Sequence, residues 1–301
     1  VMYEKIRGII VPMLTPFKQD GPVDYDAAST LVNYLIEHGV HGLFPLGTTG
    51  EGPLLSLEER KQLAQVVVQA AAGRVPVVIH SGAITTAETI QLTEHAQQIG
   101  ARAAAIIPPY YFKISERALI DHYLAVARRL PSFPIYLYDN PGVTPNHLTK
   151  AMVFEIVEAT ENIVGLKDSS GSLEKLFAAR QLRDNTFNTA IGPDGLIAAG
   201  VAMGLDASVS GNANVVPELV VALFNAADQG NLETARSLQD KLNIVREILQ
   251  DGRDMSMFKG VLAQRGISVG QVRPPLPVAN RDLFAQGWQK IEAILGTLEP
   301  V

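Results

Sequence analysis

Eight short apolar runs, many of them rich in β-branched residues, recur at intervals of roughly 20–35 residues, and helical periodicity fills most of the intervals between them. The runs are Gly8–Leu14, Gly42–Gly47, Val75–Gly82, Ala103–Tyr111, Pro134–Asn140, Ile163–Ser169, Thr189–Asp194 and Ala207–Asn212. Asp24 stands where an N-cap belongs ahead of a helix at Tyr25–His38. The Ser56–Glu59 spacing fits a capping box opening Leu57–Ala72. Thr86–Ile99, Glu116–Arg129, Leu148–Ala159 and Leu173–Arg183 continue the alternation. Repeated βα units of this kind predict an α/β fold, a (β/α)8 TIM barrel, with a doubly wound open sheet as the competing arrangement.

After about Pro217 the alternation gives way to helices alone: Glu218–Gln229, Leu232–Leu249, Ser256–Arg265 and Asp282–Leu298, broken at Gly230, Gly266 and the proline-rich Arg273–Pro277. The expected division is a barrel at residues 1–228 and a C-terminal helical appendage at 229–301. No flexible linker separates them, so the appendage is expected to pack on the barrel.

Composition narrows the function classes. A chain of 301 residues, 47% of them apolar, can bury a large core. A net charge of −6 without any basic block argues against nucleic acid or an anionic membrane as partner. The absence of cysteine excludes disulfides, thiolate nucleophiles and thiolate metal sites. No signal-like segment precedes the first apolar run and no run reaches spanning length, so a cytoplasmic protein is expected.

In a barrel of this kind chemistry comes from the C-terminal ends of several strands. The sixth run ends in Gly165-Leu166-Lys167-Asp168-Ser169-Ser170-Gly171, which puts Lys167 at the lip of a buried strand. Desolvation there disfavours the ammonium, and a free amine is what a Schiff-base lysine requires; the alternative is a side chain that snorkels out and pairs with Asp168. The second run leads into Gly47-Thr48-Thr49-Gly50-Glu51-Gly52, where glycines, hydroxyls and successive N–H groups suit a small anion, or else form an ordinary tight turn. Tyr110 and Tyr111 end the fourth run, and Tyr136 and Tyr138 lie on one side of the fifth, with Tyr138 nearer the mouth. Such phenols either relay protons or simply pack. Gly192 and Asp194 follow the seventh run, Asp194 either binding substrate hydroxyls or capping the next helix; Val209 and Gly211 at the eighth leave open floor.

In combination these motifs resemble the Schiff-base lyases and synthases that include dihydrodipicolinate synthase, N-acetylneuraminate lyase and the 2-keto-3-deoxy sugar acid aldolases. The resemblance runs through Gly47-Thr48-Thr49-Gly50-Glu51, Pro109-Tyr110-Tyr111, Tyr138 and Gly165-Leu166-Lys167-Asp168, in family order over essentially the whole chain. It implies that Lys167 forms an imine with pyruvate or another 2-keto acid, that Tyr138 shuttles protons, and that Thr48 and Thr49 hold the carboxylate. It further implies that Tyr111 reaches into a neighbouring subunit's site, so that the protein is a homodimer or homotetramer. No metal or nucleotide cofactor is implied, and His80 is the only histidine at a strand end.

Departures from the family pattern bear on substrate. The place of the synthases' carboxylate-binding arginine is taken by Val143, which has no donor pair to offer. Arg60 and Ile84 stand where some synthases bind lysine, leaving only Glu88 of a suitable type, so no lysine inhibition is expected. Asp194-Gly195 keeps half of the acidic pair of the sialic-acid lyases, and Asp139-Asn140 fits neither pattern. The expected activity is therefore a metal-independent class I aldolase or lyase, joining or splitting pyruvate and an aldehyde, with a 2-keto-3-deoxy sugar acid as substrate. The alternatives are condensation with aspartate semialdehyde, as in 4-hydroxy-tetrahydrodipicolinate synthase, and a non-catalytic keto-acid-binding paralogue.

Overall fold

Each of the eight runs coincides with a strand in the computed structural model, which describes residues 3–298, although the seventh strand begins one residue ahead of its run. The strands are β1 (Gly8–Val11), β2 (Gly42–Leu43), β3 (Val78–His80), β4 (Ala103–Ile106), β5 (Ile135–Asp139), β6 (Ile163–Asp168), β7 (Asn188–Ile191) and β8 (Ala207–Val209). They are shorter than the runs partly because Pro12, Pro45 and Pro108, just beyond β1, β2 and β4, lack the N–H a ladder needs. All pair in parallel in the order β2-β1-β8-β7-β6-β5-β4-β3. The two ends of that order meet through a bridge between Leu43 and Val77 and through Leu43 N donating to Pro76 O at 3.0 Å. A doubly wound sheet would keep two open edges; this one closes into a barrel.

Eight helices follow the strands in turn: α1 (Tyr25–Glu37), α2 (Leu57–Ala71), α3 (Thr86–Gln98), α4 (Glu116–Arg129), α5 (Lys150–Glu158), α6 (Leu173–Arg180), α7 (Ile197–Ala202) and α8 (Pro217–Asp228). Asp24 caps α1 by accepting from Ala27 N, and both halves of the Ser56–Glu59 capping box form at α2. Helix α6 stops short of its predicted end because Arg183, Asp184 and Asn185 adopt φ of 52°, 54° and 67°. That left-handed backbone is incompatible with a right-handed helix.

The two faces of the strands build two cores. Ile9, Val11, Leu43, Ile106, Leu137 and Leu166 point outward into a cluster shared with the helices, whereas Ile10, Phe44, Val78, Tyr136, Tyr138 and Val209 point inward. Inside the barrel the rings are accommodated by small neighbours, Ala103, Ala105, Ala190 and Ala207. Gly165 belongs to the same logic, since a Cβ there would stand 2.4 Å from the Tyr136 ring. The bottom is closed by Asn188, whose Oδ1 accepts from Tyr136 Oη at 2.6 Å and from Ile6 N at 3.0 Å. Access to the interior is thus left at the C-terminal ends of the strands.

Three further helices, α9 (Leu232–Ile248), α10 (Met255–Gln264) and α11 (Arg281–Leu295), complete the fold. Helix α9 packs on α7 and α8, and α10 packs on α11 and on the turn after β8, which carries it over the barrel mouth. Among the described residues no helix is long and apolar enough to cross a membrane.

Candidate active site

At the C-terminal mouth lies a cavity of about 270 Å³ lined by Thr48, Thr49, Tyr138, Lys167, Gly192, Asp194, Val209 and Gly211, which is where these residues from five strand ends converge. Ladder register explains the central pair: Tyr138 on β5 is the direct partner of Lys167 on β6, and both point inward. Lys167 is 7% exposed, and its Nζ lies 3.6 Å from the centre of the Tyr138 ring and 5.0 Å from that of Phe44. The amine is held on an aromatic surface rather than snorkelling into solvent. It does not pair with Asp168, because alternation sends that carboxylate to the opposite face of β6, against Lys175.

Tyr138 is buried at 1% exposure, with Oη 3.3 Å from Thr48 Oγ1 and accepting from Asn140 Nδ2 at 3.1 Å. Burial alone pushes the phenol up. The neighbouring Lys167 charge and the hydrogen bonds with Thr48 and Asn140 outweigh it, and the net shift is below the ordinary tyrosine value. A phenol so tuned gives up its proton more readily than tyrosine in water, which brings it nearer the range where general acid–base catalysis works.

The Thr48–Thr49 turn is built under constraint. Leu46 and Glu51 adopt φ of 69° and 54°, and Gly52 is obligatory because a Cβ would fall 1.9 Å from Leu46 O. Glu51 anchors the turn from beneath: its Oε1 meets Lys259 Nζ of α10 at 2.6 Å, and its Oε2 accepts from Arg273 N at 2.8 Å. Lys259 also donates to Thr15 O at 2.8 Å and to Gln271 O at 3.0 Å. Burial, against the pull of Glu51, lowers the Lys259 amine to about 8.

The other candidates divide. Asp194 does not cap the helix that follows it; it is 7% exposed, accepts through Oδ2 from Asn212 N and Nδ2, and is pushed above the ordinary carboxylate range chiefly by burial. Gly47 stands outside the cavity, packed on Phe44, with its carbonyl accepting from Gly52 N at 3.1 Å. Tyr111 also stands outside, 79% exposed at φ 90° beside the equally outward Phe112. His80 is buried edge-on to Phe44 and Tyr138, and burial, then Arg60 and Lys167, hold its imidazole well below the usual range and so neutral. Val143 is exposed and away from the cavity.

Sequence reasoning missed part of the wall. Asn140 and Ser169 lie two residues beyond Tyr138 and Lys167, on the same side of each strand, and alternation alone would have found them. Arg246, Asp251, Met255 and Phe258 come from α9, α10 and the turn between them, so the open floor expected at Val209 and Gly211 lies beneath a roof. No local pattern announces these, because their place depends on how the last helices dock. Gly195 leaves room for that roof: a Cβ there would stand 2.4 Å from Arg246 Nη1.

Comparison with known proteins bears on the same residues. The family model described as the dihydrodipicolinate synthetase family matches residues 5–293. A 4-hydroxy-tetrahydrodipicolinate synthase of Brucella abortus is 35% identical over 271 residues, covering 90% of this chain and 92% of that one. The structure of YagE from Escherichia coli K12, described as a prophage protein of the dihydrodipicolinic acid synthase family in complex with pyruvate, superposes with a TM-score of 0.90 at 32% identity, covering 96% of this chain and 98% of that one. A sialic acid aldolase from Ruminococcus gnavus gives 0.91 at 25% identity, over 97% and 99% of the two chains.

Proposed function

The chain belongs to the dihydrodipicolinate synthetase family, whose members act as pyruvate lyases and aldolases, and from that premise we propose a lysine-imine enzyme that splits a 2-keto-3-deoxy sugar acid into pyruvate and an aldehyde, or joins the two. The observation that carries this reading is the buried Lys167 amine set on the Tyr138 ring, with the phenol oxygen joined to Thr48 and Asn140 at the base of the cavity. The amine adds to the ketone carbon, Tyr138 delivers a proton to the departing oxygen, and water leaves as the C=N bond forms. The iminium then accepts the electron pair of the cleaving C3–C4 bond while the 4-hydroxyl loses its proton, and the resulting enamine is protonated and hydrolysed to pyruvate. The electron sink is the imine itself, so the proposed chemistry calls for no metal or nucleotide.

Thr48 and Thr49 suit the keto-acid carboxylate, and Asp194, Asn212 and Ser169 present polar groups toward a hydroxylated tail. One observation favours the second substrate, aspartate semialdehyde: Arg246 supplies a guanidinium in the cavity wall where Val143 supplies none. Coupled assays with each aldehyde separate the two. Tyr111 is assigned to a neighbouring subunit's site in a dimer or tetramer; a monomer in solution working at full rate would remove it from the mechanism.

Borohydride reduction in the presence of pyruvate is expected to label Lys167, as read by peptide mass mapping, and Lys167→Ala is expected to abolish labelling. Label on any other lysine would refute the assignment.

A further inference from the structure

Asp139 and Asp168, one residue beyond Tyr138 and Lys167, are themselves direct ladder partners on β5 and β6. Alternation turns both carboxylates away from the cavity, where they are 1% and 0% exposed. Two like charges opposed on adjacent strands repel, and burial removes the water that would screen them. Lys175 of α6 answers both at once. Its Nζ donates to Asp139 Oδ2 at 2.5 Å and to Leu148 O at 3.0 Å, and forms an ion pair with Asp168 Oδ2 at 2.6 Å.

The second oxygen of each carboxylate is held as well. Asp139 Oδ1 accepts from Leu148 N at 3.0 Å, and Asp168 Oδ1 accepts from Ser170 N at 2.7 Å and Ser170 Oγ at 2.6 Å. Each strand end is therefore gripped on its outer face, and the residue before each gripped one carries a reacting group on the inner face. A tilt of either peptide that swings the carboxylate outward swings the amine or the phenol in the opposite sense. Burial works against the Lys175 ammonium, but its two carboxylates more than compensate and keep it charged.

Building on the reading that Lys167 and Tyr138 carry the chemistry, we propose that Lys175 is a positioning residue whose simultaneous grip on Asp139 and Asp168 sets the distance between the reacting amine and the phenol. Glu174, His147 and Lys150 line the shallow depression beside it, yet none of them bridges β5 and β6. The Asp139-Asn140 pair that fits neither family pattern then has two distinct tasks: Asp139 sets the strand end from outside, and Asn140 holds the phenol oxygen from inside.

The test measures the rate of pyruvate trapping, kcat, KM and thermal stability on folded protein. Lys175→Met is expected to slow imine formation by about tenfold to hundredfold, the scale of misplacing reacting groups by about an ångström, with KM for pyruvate nearly unchanged. Adding Asp139→Asn to Lys175→Met removes the repulsion and is expected to recover much of the lost rate. Lys175→Arg, which keeps the charge and permits folding, is expected to show a smaller loss of the same kind. Variants that melt earlier but trap pyruvate at the wild-type rate would overturn the proposal, as would a double variant that recovers stability and not rate. If the wild-type protein labels no lysine at all, the Schiff-base reading falls; if it labels Lys167 and the Lys175 variants trap at full rate, only this inference does.

Discussion

The ends of β5 and β6 and the turn after β2 deliver side chains to the same cavity but are held in opposite ways. β5 and β6 pair from Ile135 with Ile163 to Asp139 with Asp168, and β6 pairs again with β7, so backbone hydrogen bonds locate Tyr138 and Lys167. β2 is two residues long, meets β3 through a single bridge, and leads into a turn with two left-handed non-glycine residues. There the ladder locates little, and the burden passes to Glu51 of the turn itself, which is held by the Lys259 ammonium and the Arg273 backbone N–H from the far end of the chain. Where strands pair in register, as from Tyr136 with Gly165 onward, alternation suffices to aim a side chain into the cavity. Where they do not, distant buried charges take over.

The contrast can be tested from its strongest element down. Tyr138→Phe removes the acid–base group and leaves the ladder intact, so imine formation is expected to slow by about 10²–10⁴ with little change in melting temperature; an unchanged rate would remove the phenol from the mechanism. Lys259→Met leaves Glu51 charged and buried without its partner, which is expected to cost about 3–5 kcal/mol of stability in denaturant titrations and to raise KM for pyruvate through the loosened turn. Adding Glu51→Gln should restore part of that stability, and a single variant as stable as wild type would show the turn to be self-supporting. The smallest effect concerns Glu59, which Arg273 ties to the same region at 2.7 Å. The Arg273 hydrogen bonds, against burial, lower its carboxyl from 4.5 to about 2. A carboxylate depressed in the folded state contributes stability that is whole above its unfolded value and is lost as pH falls through the folded one. The melting difference between wild type and Glu59→Gln is therefore expected to be constant above pH 4.5 and to fade toward pH 2; a difference independent of pH would contradict the linkage.

The same contrast separates what could be read from the residues from what could not. Eight strands, most of their helices and the shared side of Tyr136 and Tyr138 follow from periodicity, because alternation and amphipathicity are local properties. The choice between a pairing of Lys167 with Asp168 and an inward amine also followed from alternation once the register was known. The turn after β2 was legible as a turn, but its glycines serve a different end from the expected approach to a ligand: Gly50 and Gly52 exist because Met13 O and Leu46 O fill the space a Cβ would need. The roof of Arg246, Met255 and Phe258 and the anchor Lys259 were read only as helical residues, since their roles arise from docking across nearly the whole length of the chain.

Lys259 adds a consequence in time. A ribosome releases the barrel strands first, so the lysine and the phenol can take their places while the threonine turn still lacks its counter-charge. The cavity wall that Thr48 and Thr49 form is therefore completed last, by a helix that only the far end of the chain supplies.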